Sequence, residues 1–149
     1  LFNLAECYQG LGEIDEAKEY AYKILNLQPN HTATHRFISL IINHKSDKSH
    51  LPKIIEIEKN ENFKNYSLNE KTDIYFSLGK AFEDVKDYKK SFSYLEKANL
   101  IKNKETNYNL SAHEKLINSV IKLFDDFDFE KIKKNDTKQQ IVFICGKQR

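Results

Sequence analysis

The sequence predicts an all-α fold in which antiparallel helix pairs stack into a superhelix. Three observations support this prediction. Glycine and proline are scarce, at 4 and 2 of 149 residues, which disfavours a fold built on many turns. One spacing of large and small residues occurs at the start of the chain and again after Tyr75. Two Ser-x-x-Glu sequences, at Ser67 and Ser111, have the form of helix capping boxes.

The composition excludes several classes of protein. The chain is 40% hydrophobic and 31% charged, which is typical of a folded domain and not of a disordered one. No apolar run approaches the roughly 18 residues that a membrane span needs, so no membrane partner is expected. The net charge is +2, with acids and lysines interspersed, so no nucleic-acid partner is expected either.

The cysteines and the first residue lead to two further expectations. Cys7 and Cys145 each lie within an apolar pattern, so we expect buried thiols. The chain begins at Leu1 and contains no methionine, which indicates that the natural N-terminus is missing. Since no signal peptide is visible, the default compartment is the cytoplasm.

Two segments of the chain carry the repeated spacing. The first repeat, residues 1–31, reads Leu1-x2-Leu4-Ala5-x2-Tyr8, then Gly12, Ala17-x3-Ala21 and Pro29. The third repeat, residues 67–104, reads Tyr75-x2-Leu78-Gly79-x2-Phe82, then Asp87-Tyr88, Ser91-x3-Leu95 and Ala98. Residues three and four apart share one helix face, so each repeat is predicted to be a pair of helices.

Small residues explain how the two helices of a pair pack. Ala5 and Gly79 each let the second helix approach closely. Gly12-Glu13 and Lys86-Asp87 are predicted to form the turns within the pairs. Pro29 follows the first pair, where a proline can no longer extend a helix.

A degenerate middle repeat fills residues 32–66, because Leu4 and Leu78 are too far apart for adjacent units. Its first helix is predicted near Thr32–Asn43 and its second near Leu51–Lys59, with an insertion at Asn60–Tyr66. After the third repeat, Ser111-x-x-Glu114 is predicted to open a capping helix over residues 111–127. Its apolar stripe consists of Leu116, Ile117, Val120, Ile121 and Phe124.

The last part of the chain has a different character. Residues 128–139 are charged and without period, so they are predicted to be a linker. Residues 140–149 begin with the β-branched and aromatic run from Gln140 to Cys145, which predicts a short β-strand. A strand without a partner is not stable alone, so its sheet is expected beyond Arg149.

The paired spacing resembles the tetratricopeptide repeat, in which a large residue, a Leu-Gly pair and an aromatic mark the first helix. The tail, with Ile141–Cys145 followed by Gly146-Lys147-Gln148-Arg149, resembles the start of the phosphosulfate-binding loop of sulfotransferases in the protein-tyrosine sulfotransferase branch. Bacterial members of that branch often carry tetratricopeptide repeats upstream. Gln148 departs from the family pattern, which has proline there.

This second resemblance implies a truncated catalytic domain. The parent protein would use 3′-phosphoadenosine-5′-phosphosulfate to sulfate a hydroxyl or phenol, and the fragment itself would hold no catalytic residue and no cofactor. Gly146 would permit the close backbone turn, and Arg149 would help to bind the phosphosulfate. A Walker loop that begins at Gly146 and is completed downstream stays open as an alternative.

The first helices of the repeats are expected to line a concave face that binds a protein or peptide partner. The residues predicted for this face are Phe2, Glu6, Gln9, Arg36, Leu40, Asn43, Asp73, Phe76, Lys80 and Glu83. A stand-alone adaptor that uses this face is the alternative to the sulfotransferase hypothesis.

No metal site is predicted. His31 and His35 have a spacing that can hold a metal ion, but no third ligand is evident nearby, so surface positions are expected for both. His44, His50 and His113 are scattered along the sequence.

Overall fold

The computed structural model of the chain describes residues 1–106 and 109–125. These residues form seven α-helices and one short 3-10 helix, and they contain no strand. The chain divides into two compact units, Leu1–Tyr108 and Asn109–Arg149. The all-α prediction is therefore confirmed for the described residues. The predicted linker, the strand, Cys145, Gly146 and Arg149 lie outside them.

The first unit consists of three consecutive helix pairs. The bounds are α1 Phe2–Leu11, α2 Ile14–Leu27, α3 Thr32–Ile41, α4 His50–Lys59, α5 Leu68–Asp84 and α6 Tyr88–Thr106. A 3-10 helix over Glu61–Asn65 lies within the predicted insertion. Helix α3 packs on α2 and on α5, and α4 also packs on α5. The middle pair is thus held by helices of both neighbouring pairs.

Small residues set the close crossing in the outer pairs, as predicted. Gly79 is buried, and a Cβ at this position would lie 2.6 Å from Cδ2 of Leu95 on α6. Ser91 of α6 donates a hydrogen bond from its hydroxyl to the Gly79 carbonyl at 2.8 Å. In the first pair, Ala5 and Ala17 are both fully buried. The helix backbones therefore nearly touch at these crossings.

The turns within the two outer pairs have the same hydrogen bonds. Gly12 has φ +82° and Lys86 has φ +66°, so both lie in the left-handed region. The following N–H groups, of Glu13 and Asp87, donate to the carbonyls of Tyr8 and Phe82. Both turns end their helix in the manner of a Schellman motif, although only one of them uses glycine.

The middle pair departs from this pattern at its crossing. The buried residues His50, Ile54 and Ile57 of α4 have the spacing of Ser91, Leu95 and Ala98. His50 therefore stands where the outer pairs have alanine or serine. The backbones of α3 and α4 hardly approach each other, because an imidazole ring needs more room between two helices than a methyl or hydroxymethyl group.

One predicted cap is confirmed and the other is wrong. At the start of α5, the Ser67 hydroxyl accepts from the Glu70 N–H while the Glu70 carboxylate accepts from the Ser67 N–H at 2.8 Å. Helix α7 spans Leu110–Asp125, so Ser111 lies inside it. Asn109 caps α7 instead, since its carboxamide oxygen accepts from the Ala112 N–H at 3.1 Å.

The two buried clusters of the first unit divide the middle helix pair between them. One cluster joins α1, α2 and α3 around Ala5, Ala21 and Ile38. The other joins α4, α5 and the 3-10 helix around Ile54, Phe63 and Ile74. Cys7 is exposed, so the prediction of a buried thiol there is wrong. Cys7 directly follows Glu6 on α1 and points away from the core that Ala5 enters.

Replacing Gly79 by alanine tests the crossing of α5 and α6. The added methyl group would overlap Leu95, and we expect the free energy of unfolding to fall by about 1–3 kcal/mol. Urea denaturation followed by circular dichroism measures this change.

Gly10→Ala is the matched control, because a Cβ at Gly10 in α1 meets no atom within 4 Å. This variant should gain up to about 0.5–1 kcal/mol from the better helix propensity of alanine. Equal effects of the two substitutions would contradict the close crossing.

Candidate functional site

A cluster of three predicted face residues joins α3 and α5. The guanidinium carbon of Arg36 lies 4.7 Å from the ring centroid of Phe76. Asp73, one turn before Phe76 on α5, accepts a hydrogen bond from the Thr32 hydroxyl at 3.1 Å. The cluster thus combines a cation held over an aromatic ring with a carboxylate beside it.

The protein environment influences both charged groups of this cluster. Burial lowers the pKa of Arg36, and the charge of Asp73 opposes that effect. Burial raises the pKa of Asp73, while the Thr32 hydroxyl and the Arg36 charge oppose it. Both side chains are partly removed from water before any partner arrives, so little further desolvation is needed when one binds.

Other predicted face residues surround the cluster with varying exposure. Leu40, one turn after Arg36 on α3, is 52% exposed. Glu6, Gln9 and Glu83 are exposed. Phe2 is half-buried, with its ring edge-on to Phe37 at 5.8 Å between centroids.

Two of the predicted face residues have partners within the chain. The carboxamide oxygen of Asn43 accepts from the Lys45 N–H at 2.9 Å, which fixes the loop after α3. Lys80 forms an ion pair with Asp84 one turn later on α5. The structure therefore brings Arg36, Asp73 and Phe76 together and commits Asn43 and Lys80 to internal contacts.

A second polar cluster lies buried within the middle repeat. His35 Nε2 lies 2.8 Å from the Pro29 carbonyl oxygen, and His35 Nδ1 lies 2.9 Å from His50 Nε2. His50 Nδ1 lies 3.2 Å from His44 Nε2, and His44 Nδ1 lies 3.1 Å from Asp84 Oδ2. Three imidazoles thus form a continuous line from Pro29 to Asp84, which we call the histidine chain.

The rings of the histidine chain meet edge to edge. The centroids of His35 and His50 are 5.2 Å apart, and those of His44 and His50 are 5.4 Å apart. These separations equal the nitrogen–nitrogen distances plus about one ring radius on each side, as in-line hydrogen bonds require. All three rings are at most 1% exposed, so water does not compete for these contacts.

Each member of the chain is positioned by a different element. His35 is on α3 and His50 is the first residue of α4. His44 lies in the connecting loop, where its backbone N–H donates to Asp84 Oδ2 at 3.0 Å. Asp84 is the last residue of α5. The chain therefore ties α3 and α4 to α5 at the place where α3 and α4 lack a close crossing.

The expectation of a surface position is wrong for His35, and the other two chain histidines were not predicted to meet. His31 does lie at the start of α3, where its Nδ1 accepts from the Thr34 N–H at 3.3 Å. One sequence signal could have revealed the chain: His50 precedes Ile54 and Ile57 at the spacing of a buried helix face. The position of His44 depends on the fold of the loop, which no local pattern indicates.

Burial dominates the protonation of the chain histidines. It lowers the pKa of His35, His44 and His50, that of His50 to about 3, where the two neighbouring imidazoles lower it further. Hydrogen bonding to Asp84 opposes the shift at His44, and the Pro29 carbonyl opposes it at His35. The isolated charged form of each ring is therefore disfavoured in the folded protein.

The histidine chain is not arranged like a metal site. Its nitrogens face one another in pairs, whereas ligands of one ion converge on a point. In residues 1–106 and 109–125, no three histidine, cysteine or acidic side chains are placed to hold an ion. The helices in this part of the chain are also too short or too polar to cross a membrane.

Lowering the pH from 8 to 5 is expected to destabilise the fold. Because the folded-state pKa values of the three histidines lie below 6.5, the unfolded chain takes up protons that the folded chain excludes. The stabilisation is complete above pH 6.5 and is lost as the pH falls below it. Each excluded proton lowers the free energy of unfolding by about 1.4 kcal/mol per pH unit.

Urea denaturation at several pH values measures this dependence. His50→Ser, which installs the residue of the third repeat at this position, should flatten it. A wild-type stability that is constant or rises between pH 6.5 and pH 5 would contradict the effect of burial.

Comparison with known proteins addresses the outer helix pairs. A family model described as Tetratricopeptide repeat matches residues 1–31 and 72–105, which include α1 with α2 and most of α5 with α6. No curated protein and no solved structure matches the chain. The small residues at both crossings and the shared turn geometry agree with the matched family. Residues 1–31 and 72–105 are therefore similar to tetratricopeptide repeats.

Proposed function

We propose that this chain is an adaptor that binds a peptide segment of another protein along α1, α3 and α5. The observation that carries the proposal is the Arg36–Phe76–Asp73 cluster beside the exposed Leu40. Tetratricopeptide repeats are protein-interaction modules in general, and the match to that family supports a protein partner.

The chemistry of the cluster indicates what the peptide must present. Leu40 and the face of α5 around Phe76 offer an apolar surface for one side chain of the partner. Arg36 offers N–H donors to a carbonyl or carboxylate, and Asp73 accepts from a donor. A peptide with an apolar residue flanked by polar groups matches this arrangement.

The face does not favour a clamp for a terminal carboxylate. Such a clamp needs several convergent cations or amides, whereas Lys80 is paired with Asp84 and Asn43 holds its own loop. Of the two cations among the ten predicted face residues, Arg36 is therefore the one that can bind a carboxylate. We therefore assign the site to an internal peptide segment.

A second candidate function is recruitment of substrates to a downstream sulfotransferase that uses 3′-phosphoadenosine-5′-phosphosulfate. It rests on the resemblance of the tail that ends in Gly146 and Arg149, which lie outside the described residues. The comparisons give no support to this link. The adaptor is the function that we favour.

The test selects peptides from a displayed library against the full chain and measures their affinity for two matched variants. Leu40→Asp places a charge on the proposed face, and we expect at least a tenfold loss of affinity. Phe92→Asp is the control, because Phe92 is a similarly exposed apolar residue, 69% exposed, on α6.

Selected peptides that lose affinity for Leu40→Asp and keep it for Phe92→Asp would support the proposal. Binding that survives Leu40→Asp, or that is lost only with Phe92→Asp, would place the partner elsewhere. Circular dichroism of both variants checks that each one is folded.

A further inference from the structure

The histidine chain contains fewer protons than contacts when its imidazoles are neutral. It has four contacts: from the Pro29 carbonyl to His35, from His35 to His50, from His50 to His44, and from His44 to Asp84. Both ends of the line are acceptors, namely a carbonyl and a carboxylate. Each contact needs one proton, and three neutral imidazoles supply three.

One contact in the neutral chain is therefore without a proton. The Asp84 carboxylate is charged and lies 3.1 Å from His44 Nδ1, so this nitrogen carries a proton. If His44 Nδ1 donates to Asp84, then Nε2 of the neutral ring is an acceptor. The contact without a proton, which we call the mismatch, then lies between His44 and His50, between His50 and His35, or between His35 and Pro29. At the mismatched contact two lone pairs face each other in a buried, water-free place, which costs free energy.

One added proton removes the mismatch, and a second one creates a new mismatch. With four protons, every contact has one donor and one acceptor, and Asp84 balances the single positive charge. A fifth proton would set two N–H groups against each other. Within residues 1–106 and 109–125, Asp84 is the carboxylate that hydrogen-bonds to these imidazoles, whereas Asp47 accepts from Ser49.

The charged groups around the histidine chain agree with the uptake of no more than one proton by its three rings. Asp84 and Asp47 favour a proton on His44, which Lys80 of α5 opposes. Asp47 favours a proton on His50, which Lys53 of α4 opposes. His31 and Lys53 oppose a proton on His35. Among the described residues, Asp84 is thus the acid in direct contact with the histidine chain, and it also pairs with Lys80.

We propose that the histidine chain is a one-proton site that governs the middle repeat. Acidification adds a single proton, which is shared among His35, His44 and His50 and completes the hydrogen bonds that join α3, α4 and α5. Further protonation breaks these bonds and separates α3 and α4 from the end of α5. This inference does not depend on the proposed peptide site.

Burial lowers the pKa of each ring, so the first proton enters below the ordinary pKa of histidine, 6.5. A proton that enters at the mismatched contact supplies its missing donor, and the other three contacts keep their donors and acceptors.

Nitrogen-15 NMR of the full chain with labelled histidine tests the proposal directly. The chain has 5 histidines, and the shifts of Nδ1 and Nε2 report protonation and tautomer for each ring. Between pH 8 and the onset of acid unfolding, we expect His35, His44 and His50 together to gain the equivalent of one proton, with coincident midpoints.

Two variants of α5 should move that midpoint in opposite directions. Asp84→Asn removes the balancing charge and should lower the midpoint by at least about one pH unit. Lys80→Met removes the competing cation and should raise it. Lys80 is 31% exposed at its side chain, so this variant should fold even if Asp84→Asn does not.

Three results would overturn the proposal. One is uptake of two or three protons by the chain histidines while the spectrum of the fold is unchanged. Another is the absence of any proton uptake before acid unfolding. The third is a Lys80→Met midpoint that equals or lies below that of the wild type.

Discussion

The first unit depends on one constraint, which is how closely the two helices of each pair can approach at their crossing. In the outer pairs, Gly79 and Ser91, or Ala5 and Ala17, let the backbones nearly touch. A close crossing buries apolar surface, and at the α5–α6 crossing the Ser91 hydroxyl is satisfied by the Gly79 carbonyl. The middle pair contains His50 at this position, so its helices are held apart and need another means of attachment.

The histidine chain supplies that attachment, but it has different physical properties. Apolar contacts in the outer pairs are insensitive to pH, whereas hydrogen bonds between imidazoles depend on the number of protons present. The chain also extends beyond its own pair, because Asp84 belongs to α5. The middle repeat is therefore coupled to the third repeat by a polar contact as well as by the cluster around Ile54 and Ile74.

Much of the fold could be predicted from local patterns. The crossings at Ala5 and Gly79, the turns at Gly12 and Lys86 and the capping box at Ser67 each depend on a few neighbouring residues, so the sequence contains the relevant information. The helix start at Asn109 was missed because Ser111-x-x-Glu114 has the same form as a true capping box. The exposure of Cys7 was missed because an apolar pattern does not state which side of α1 faces the core.

The two polar clusters differ in what the sequence could indicate. Arg36, Asp73 and Phe76 were predicted to share a face, since helix periodicity places them there, but their mutual contact required the packing of α3 on α5. The meeting of His35, His44 and His50 depends on a loop that turns His44 inwards and on α5 presenting Asp84 to it. Contacts of this kind join residues 6–40 positions apart, beyond the reach of any local pattern.

The left-handed backbone conformation of Lys86 has a consequence for the energetics of the third repeat. A lysine at φ +66° adopts a backbone conformation that costs about 1 kcal/mol or more for a residue with a Cβ, whereas Gly12 adopts it freely. Such a residue persists only where the surrounding packing determines the backbone. The packing of α5 on α6, with Gly79 against Leu95, therefore offsets a backbone cost that the α1–α2 pair does not have.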